Sequence, residues 1–184
     1  MKHNVKKIIS GLLLSVMLGG VVACGAQQGA LTDTAAVRGE LEGIDGVYID
    51  DAEIALAVRA TTSAQADAAA MDAYDKTNGQ RGASGLGGLV WNVDLQNAAK
   101  VRAKEIKSYF SHQRPDGSEW WTVDSRVMYG ENLAKLYNSA DSVVTAWMNS
   151  PTHAANILAG DFVSIGIGIY EEGGQWYWAQ EFGY

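Results

Sequence analysis

An α+β fold is what the sequence predicts, with helices packed against a small antiparallel sheet. Three observations carry this. "NVDLQNAAKVRAKEIKSYF" places Leu95, Ala98, Ala99, Ala103, Ile106 and Phe110 on one stripe at helical spacing. "FVSIGIGIY" and "QWYWAQEF" alternate with a period of two and are joined by "EEGG", which reads as a β-hairpin. The helical patterns also precede the strands along the chain, an order typical of α+β domains.

The first element is not part of that fold. "MKHNVKK" is basic and "IISGLLLSVMLGGVVA" is apolar and ends in a small residue, the pattern of a secretory leader over residues 1–23. The apolar run is shorter than the ~20 residues a bilayer span needs. Cys24, the only cysteine, follows at once, so no intramolecular disulfide can form. "VVAC" resembles the lipobox of bacterial lipoproteins, which implies lipidation of Cys24 and a lipid anchor at the cell surface. Two chains suffice for stable anchoring, at about 0.8 kcal/mol per buried methylene. The plainer alternative is cleavage after Ala23 and release. Removing the leader takes Lys2, Lys6 and Lys7, and with them the net charge from −7 to −10. That charge argues against a nucleic-acid partner, which calls for clustered Lys and Arg. The remaining 161 of 184 residues suffice for one unstapled core.

Residues 24–63 read as an acidic, flexible tether without tryptophan. Within it "DDAEIALAVRA" has the pattern of a short helix, with Asp50 and Glu53 at capping-box spacing. From Ala64 to Tyr184 the chain is globular in character. "SAQADAAAMDAYDKTNG" is a helix with an Asn-Gly stop, and "QRGASGLGG" reads as a glycine-rich loop. That loop lacks Gly-Lys-Ser/Thr and G-x-S-x-G, so neither a phosphate loop nor a nucleophile elbow is present. The long helix comes next. "RPDG" is then a turn with Pro115 second and Gly117 fourth. "SADSVVTAWMN" is a helix capped by Ser139 with Trp147 on its buried side, and Ser150 caps a further helix opened by Pro151. In the hairpin, Gly166 and Gly168 leave one face bare, which predicts close approach of another element, a helix. Trp91, Trp147 and one of Trp176 or Trp178 are expected in the core, and one of Trp120 or Trp121 at a rim.

Few residues could carry chemistry. With His3 gone in the leader, only His112 and His153 remain, with Glu131 between them in "YGENLAK". Two imidazoles and a carboxylate suit a borderline metal such as zinc, and equally an acid–base pair. The gaps of 19 and 22 residues match no local metal signature. His153 falls in the first turn of a helix, whose dipole disfavours the imidazolium.

"YFSHQRPDG", "YGENLA", "WMNSPTHAANIL" and "SIGIGIY…YWAQEFG", in that order, resemble the CAP superfamily, or SCP domain, of cysteine-rich secretory proteins, antigen 5 and pathogenesis-related 1 proteins. Asn78 and Arg81 resemble its N-x-x-R. The resemblance covers about residues 64–184 and is nearest to the cysteine-poor bacterial branch. It implies an α-β-α sandwich with a central cleft, and places His112, Glu131 and His153 in it as candidate catalytic residues. His112 and His153 become candidate ligands of a weakly bound divalent metal, and Asn132, Ser150 and Asn156 support the cleft. Members with a full tetrad have Glu in W-x-x-E, where this chain has Ser150, here explained as a helix cap. The implied function is a surface-tethered module that binds a lipid, sterol or cell-envelope ligand. The alternatives are a metal-assisted, protease-like hydrolase, and a structural or host-interaction protein.

Overall fold

The computed structural model describes the backbone of residues 51–184 and the side chains from Thr62 onward. The leader, Cys24 and the tether up to residue 50 therefore lie outside the described residues. Gln65–Tyr184 form one compact unit.

Helix α1 spans Asp51–Ala83, so the short helix inside the presumed tether and the Ala-rich helix are one continuous element. It does not stop at Asn78-Gly79 as the sequence predicts. It ends where Gly85 takes a φ of +74°. Tertiary bonds favour the extra turn. Asn78 clamps both backbone groups of Leu89, at 2.8 and 3.0 Å. Arg81, 2% exposed, donates to the carbonyls of Gly87, Ile157 and Ala159 at 2.7–2.8 Å.

Strand β1 is only Val90–Trp91, and helix α2 follows at Val93–Ser108. Asn92 caps α2, its side chain accepting from the amides of Asp94 and Leu95. After α2 come the Arg114–Gly117 turn, closed at 2.9 Å, and a 3-10 turn at Trp120–Val123. Strand β2 is Gly130–Lys135, helix α3 Ala140–Asn149 and helix α4 Pro151–Ile157. The hairpin is β3, Ser164–Glu172, with β4, Gln175–Gly183. Gly173 and Gly174 both have positive φ, 61° and 76°, as a two-residue type I′ turn requires.

The sheet order is β1-β3-β4-β2. The hairpin and β2 pair antiparallel, but β1 runs parallel to β3, so the sheet is mixed rather than wholly antiparallel. Both faces are covered. Ile165, Ile167, Trp178 and Phe182 pack with Trp147 of α3, Ile157 of α4 and Ala66, Ala70 and Ala73 of α1. On the other face Ala179 and Leu133 pack with Ala99, Ala103 and Ile106 of α2. The helix expected over the bare glycines is α2: a Cβ on Gly168 would lie 2.2 Å from the Lys100 amide nitrogen. Phe110 is the exception to the predicted stripe. It lies two residues past the end of α2 and is 46% exposed.

Candidate functional site

The site is built on β2, an edge strand of the sheet. An open edge exposes unpaired carbonyls, which proteins usually cover. Here the carbonyl of Leu133 accepts from Trp147 Nε1 of α3 at 3.2 Å, and that of Glu131 from Asn156 Nδ2 of α4 at 3.1 Å. The register of β2 against β4 then sorts the side chains. Asn132 faces Gln180 on the large core, and Glu131 faces Glu181 on the α2 side.

Asn132, fully buried, donates to the His153 carbonyl at 3.1 Å and to Gln180 Oε1 at 2.9 Å. Its own oxygen accepts from Asn156 Nδ2 at 2.9 Å. These bonds fix α4, and so His153, against the sheet. Asn132 and Asn156 are thus the braces of the site's back wall.

Glu131 has a side chain only 1% exposed. Arg102 of α2, wholly buried, donates to Glu131 Oε2 through Nε at 2.6 Å and to Oε1 through Nη2 at 3.2 Å. The same guanidinium binds Glu105 Oε2 at 2.7 Å and the Ser111 carbonyl at 2.8 Å, which anchors the loop carrying His112. Glu105 in turn holds Arg114. His112 Nδ1 lies 2.8 Å from Glu131 Oε1. A carboxylate paired with arginine accepts, so Nδ1 carries a proton, and in the neutral tautomer Nε2 is the acceptor.

Sequence reasoning missed Arg102. Its signal was there: residue 102 falls three and four positions after Ala99 and Ala98, on the apolar stripe itself. A cation on such a stripe points to a buried acid.

Ser150 also corrects an expectation. It occupies the N-cap position of α4, but its hydroxyl makes no capping bond. It lies 2.7 Å from His153 Nδ1 instead. The serine thus orients an imidazole, while Pro151 opens the helix. Burial lowers the pKa of His153, and the neighbouring His112 lowers it further. The neutral ring is thus favoured, as the sequence predicts, with burial as the leading cause.

His112 and His153 line one groove of about 430 Å³, with Ser111, Lys135, Tyr137 and Ser150. Phe110, Leu133 and Trp147 supply apolar lining. Trp120 and Trp121 do not line it; they stack edge-on at 5.5 Å, with Trp121 exposed.

As a metal set these residues fit poorly. Both oxygens of Glu131 are engaged by Arg102, and Ser150 offers a hydroxyl where a carboxylate would serve. Two imidazoles remain, and no three His, Cys, Asp or Glu groups among the described residues converge as a metal set.

Glu181 is the unexpected member. It is fully buried, and neither carboxyl oxygen has a hydrogen-bond partner. Burial, and then the facing Glu131 charge, push its pKa well above the ordinary 4.5. Such an acid keeps its proton in the folded state after the unfolded chain has lost it. Stability therefore falls as pH rises from about 4.5 through the raised value. Glu181→Gln mimics the neutral acid and removes this fall. Thermal melts should show it about 2–4 °C above wild type at pH 8 and nearly level at pH 5; parallel pH profiles would refute the assignment.

Comparison with known proteins agrees with this architecture. The family profile described as cysteine-rich secretory protein family (CAP) matches residues 74–182. The chain is 38% identical over 128 residues to the uncharacterized protein YkwD of Bacillus subtilis (strain 168), covering 63% of this chain and 49% of that protein. It is 31% identical over 103 residues to the uncharacterized membrane protein YlbC of the same strain, covering 52% of this chain and 30% of that protein. Among solved structures, an extracellular protein containing a SCP domain from Bacillus anthracis str. Ames aligns with a TM-score of 0.59 at 22% identity, over 75% of this chain and 45% of that one. A cysteine-rich secretory protein from Staphylococcus aureus subsp. aureus Mu50 gives 0.53 at 21%, over 65% and 40%. At these identities the structures speak to the fold alone.

Proposed function

The chain belongs to the cysteine-rich secretory protein (CAP) family, and on that premise we propose that it is an exported binding module, lipid-anchored at the cell surface through Cys24, whose groove takes a lipid, sterol or cell-envelope ligand. One observation carries the binding part. His112 and His153 face a single groove of about 430 Å³, and the Glu131–Arg102 pair behind it is fully committed to holding the wall. Such a frame orients donors and acceptors without itself being free to react, which suits binding. For the anchor, the lipobox-like "VVAC" is the support. No helix among the described residues is long and apolar enough to cross a membrane.

One feature favours a second reading. His112, held by Glu131 with Nε2 as acceptor, has the form of a general base oriented by a carboxylate. That would make the protein a hydrolase.

One experiment separates them. The purified chain and its His112→Ala/His153→Ala variant are incubated with a cell-envelope fraction, and both retention and released products are measured. Binding should be stoichiometric, lost by at least tenfold in the variant, and without turnover. Catalytic release that disappears in the variant would replace the binding reading with the hydrolase. Equal retention of both would refute a role for the groove. In cells, Cys24→Ser should move the protein from the membrane to the medium; continued sedimentation with membranes would refute the anchor.

A further inference from the structure

We infer that Glu181 is a positioning residue for the site: as a neutral acid it donates its proton to Glu131, and through that bond it holds Glu131 toward His112. Its effect on a ligand rests on the binding reading above; its effect on His112 does not.

Register makes the pair. Glu181 of β4 stands directly opposite Glu131 of β2. Side chains paired in this way across antiparallel strands are immediate neighbours. The two carboxyls lie within hydrogen-bonding reach of each other. No N–H or O–H of the described residues reaches either Glu181 oxygen, although the side chain is fully buried. Arg102, the nearby cation, directs its bonds to Glu131, Glu105 and the Ser111 carbonyl instead. Two carboxylates are both acceptors and cannot bond each other. One proton between them turns the contact into a bond and removes a buried charge that has no partner of its own.

The acceptor sites on Glu131 assign that proton. A carboxylate offers about four of them. Oε1 takes His112 Nδ1 at 2.8 Å and Arg102 Nη2 at 3.2 Å, and Oε2 takes Arg102 Nε at 2.6 Å. One site on Oε2 remains, and the Glu181 hydroxyl fills it. Glu131 keeps its charge for the arginine, and Glu181 is the acid. The charges acting on Glu181 are those of Glu131 on β2 and Arg102 on α2, while its β3 neighbour Gly166 brings none. Glu105 lies beyond Arg102, and His112 beyond Glu131. Loss of the proton leaves two facing carboxylates competing for one guanidinium, which also anchors Ser111 beside His112. His112 then loses its orientation, while His153, held by Ser150, does not.

The test is nitrogen NMR of the imidazole rings in the isotope-labelled full chain, as wild type, Glu181→Gln and Glu181→Met. Glutamine keeps a neutral donor; methionine keeps the bulk and removes the donor. With the rings neutral, wild type and Glu181→Gln should show His112 with its proton on Nδ1, and Glu181→Met should lose that preference. Raising the pH to about 10 should give the wild-type His112 signals a second inflection, as Glu181 ionises, that both variants lack. The His153 signals should stay level in all three. If methionine prevents folding, the glutamine variant still decides, because the inflection must vanish in it. An inflection retained in Glu181→Gln, unchanged His112 signals in a folded Glu181→Met, or equal movement of His153 would each overturn the inference. Retention of the cell-envelope fraction should fall about threefold or more in Glu181→Met and be kept in Glu181→Gln. If His112 responds to Glu181 but the His112→Ala/His153→Ala variant retains the fraction like wild type, the binding reading falls and the positioning role stands. If retention depends on the two histidines while His112 ignores Glu181, the positioning role alone falls.

Discussion

Arg102→Met should cost about 3–5 kcal/mol, the largest loss expected from any single substitution at the site. The guanidinium is fully buried and makes four charged or polar bonds, to both oxygens of Glu131, to Glu105 and to the Ser111 carbonyl. Methionine fills the space but leaves the Glu131 carboxylate without its cation. That carboxylate is 1% exposed and faces Glu181, a second acid with no partner. Against a typical total of about 5–15 kcal/mol, such a loss leaves the domain marginal. Urea denaturation measures it. The double variant Arg102→Met/Glu131→Gln should recover a substantial part, because the cost lies in the stranded charge rather than in lost packing. A loss below 1 kcal/mol, or no recovery in the double variant, would show that the pair is not buried as described. His112 reports the same event locally. With Glu131 neutral or displaced, its imidazole loses the anionic acceptor that orients it, and its NMR signals should shift even where the fold survives.

The prominence of Arg102 shows what a sequence displays and what it hides. The hairpin was legible because two short-range signals agree: alternation with a period of two, and a glycine pair that alone tolerates the turn's dihedrals. The cap at Ser139 was legible for the same local reason, since a short polar side chain meets a free amide three residues on. Strand β2 was not recognised. Five of its six residues are buried, those on both faces alike, so the alternation that marks a half-exposed strand is absent. Strand β1, at two residues, is too short to leave a pattern. The same limit explains Asn78-Gly79: a local stop signal was overridden by bonds from Asn78 and Arg81 to segments 11 to 78 residues away. At the site, histidines and a glutamate draw notice by their chemistry. Ser150 was credited with a capping bond because position and type suited one, and only coordinates reveal that its hydroxyl turned to His153. Long-range partners decide such cases, and one sequence does not print them.

Gly168→Ala is the second large effect, expected to cost about 3 kcal/mol, the upper part of the usual overpacking range. The alanine methyl would sit 2.2 Å from the Lys100 amide nitrogen and 2.4 Å from the Ala99 carbonyl carbon. These are backbone atoms of α2, so no rotamer change relieves the contact. The whole helix must retreat to reach ordinary carbon contact distance near 3.5–4.0 Å. Ala99, Ala103 and Ile106 would leave the sheet with it, opening the smaller core. Arg102 rides on the same helix, so its guanidinium would be drawn off Glu131 and the site would loosen together with the fold. Gly79→Ala supplies the control. It lies within α1, its Cβ would meet nothing within 4 Å, and its φ is not positive. Alanine there should stabilise by about 0.4–1 kcal/mol through the unfolded chain. The two methyl additions therefore carry opposite signs, and parallel urea titrations read both. A Gly168→Ala loss under 1 kcal/mol would mean that α2 does not rest on bare glycine backbone, and the close helix-on-sheet contact that positions Arg102 would have to be abandoned.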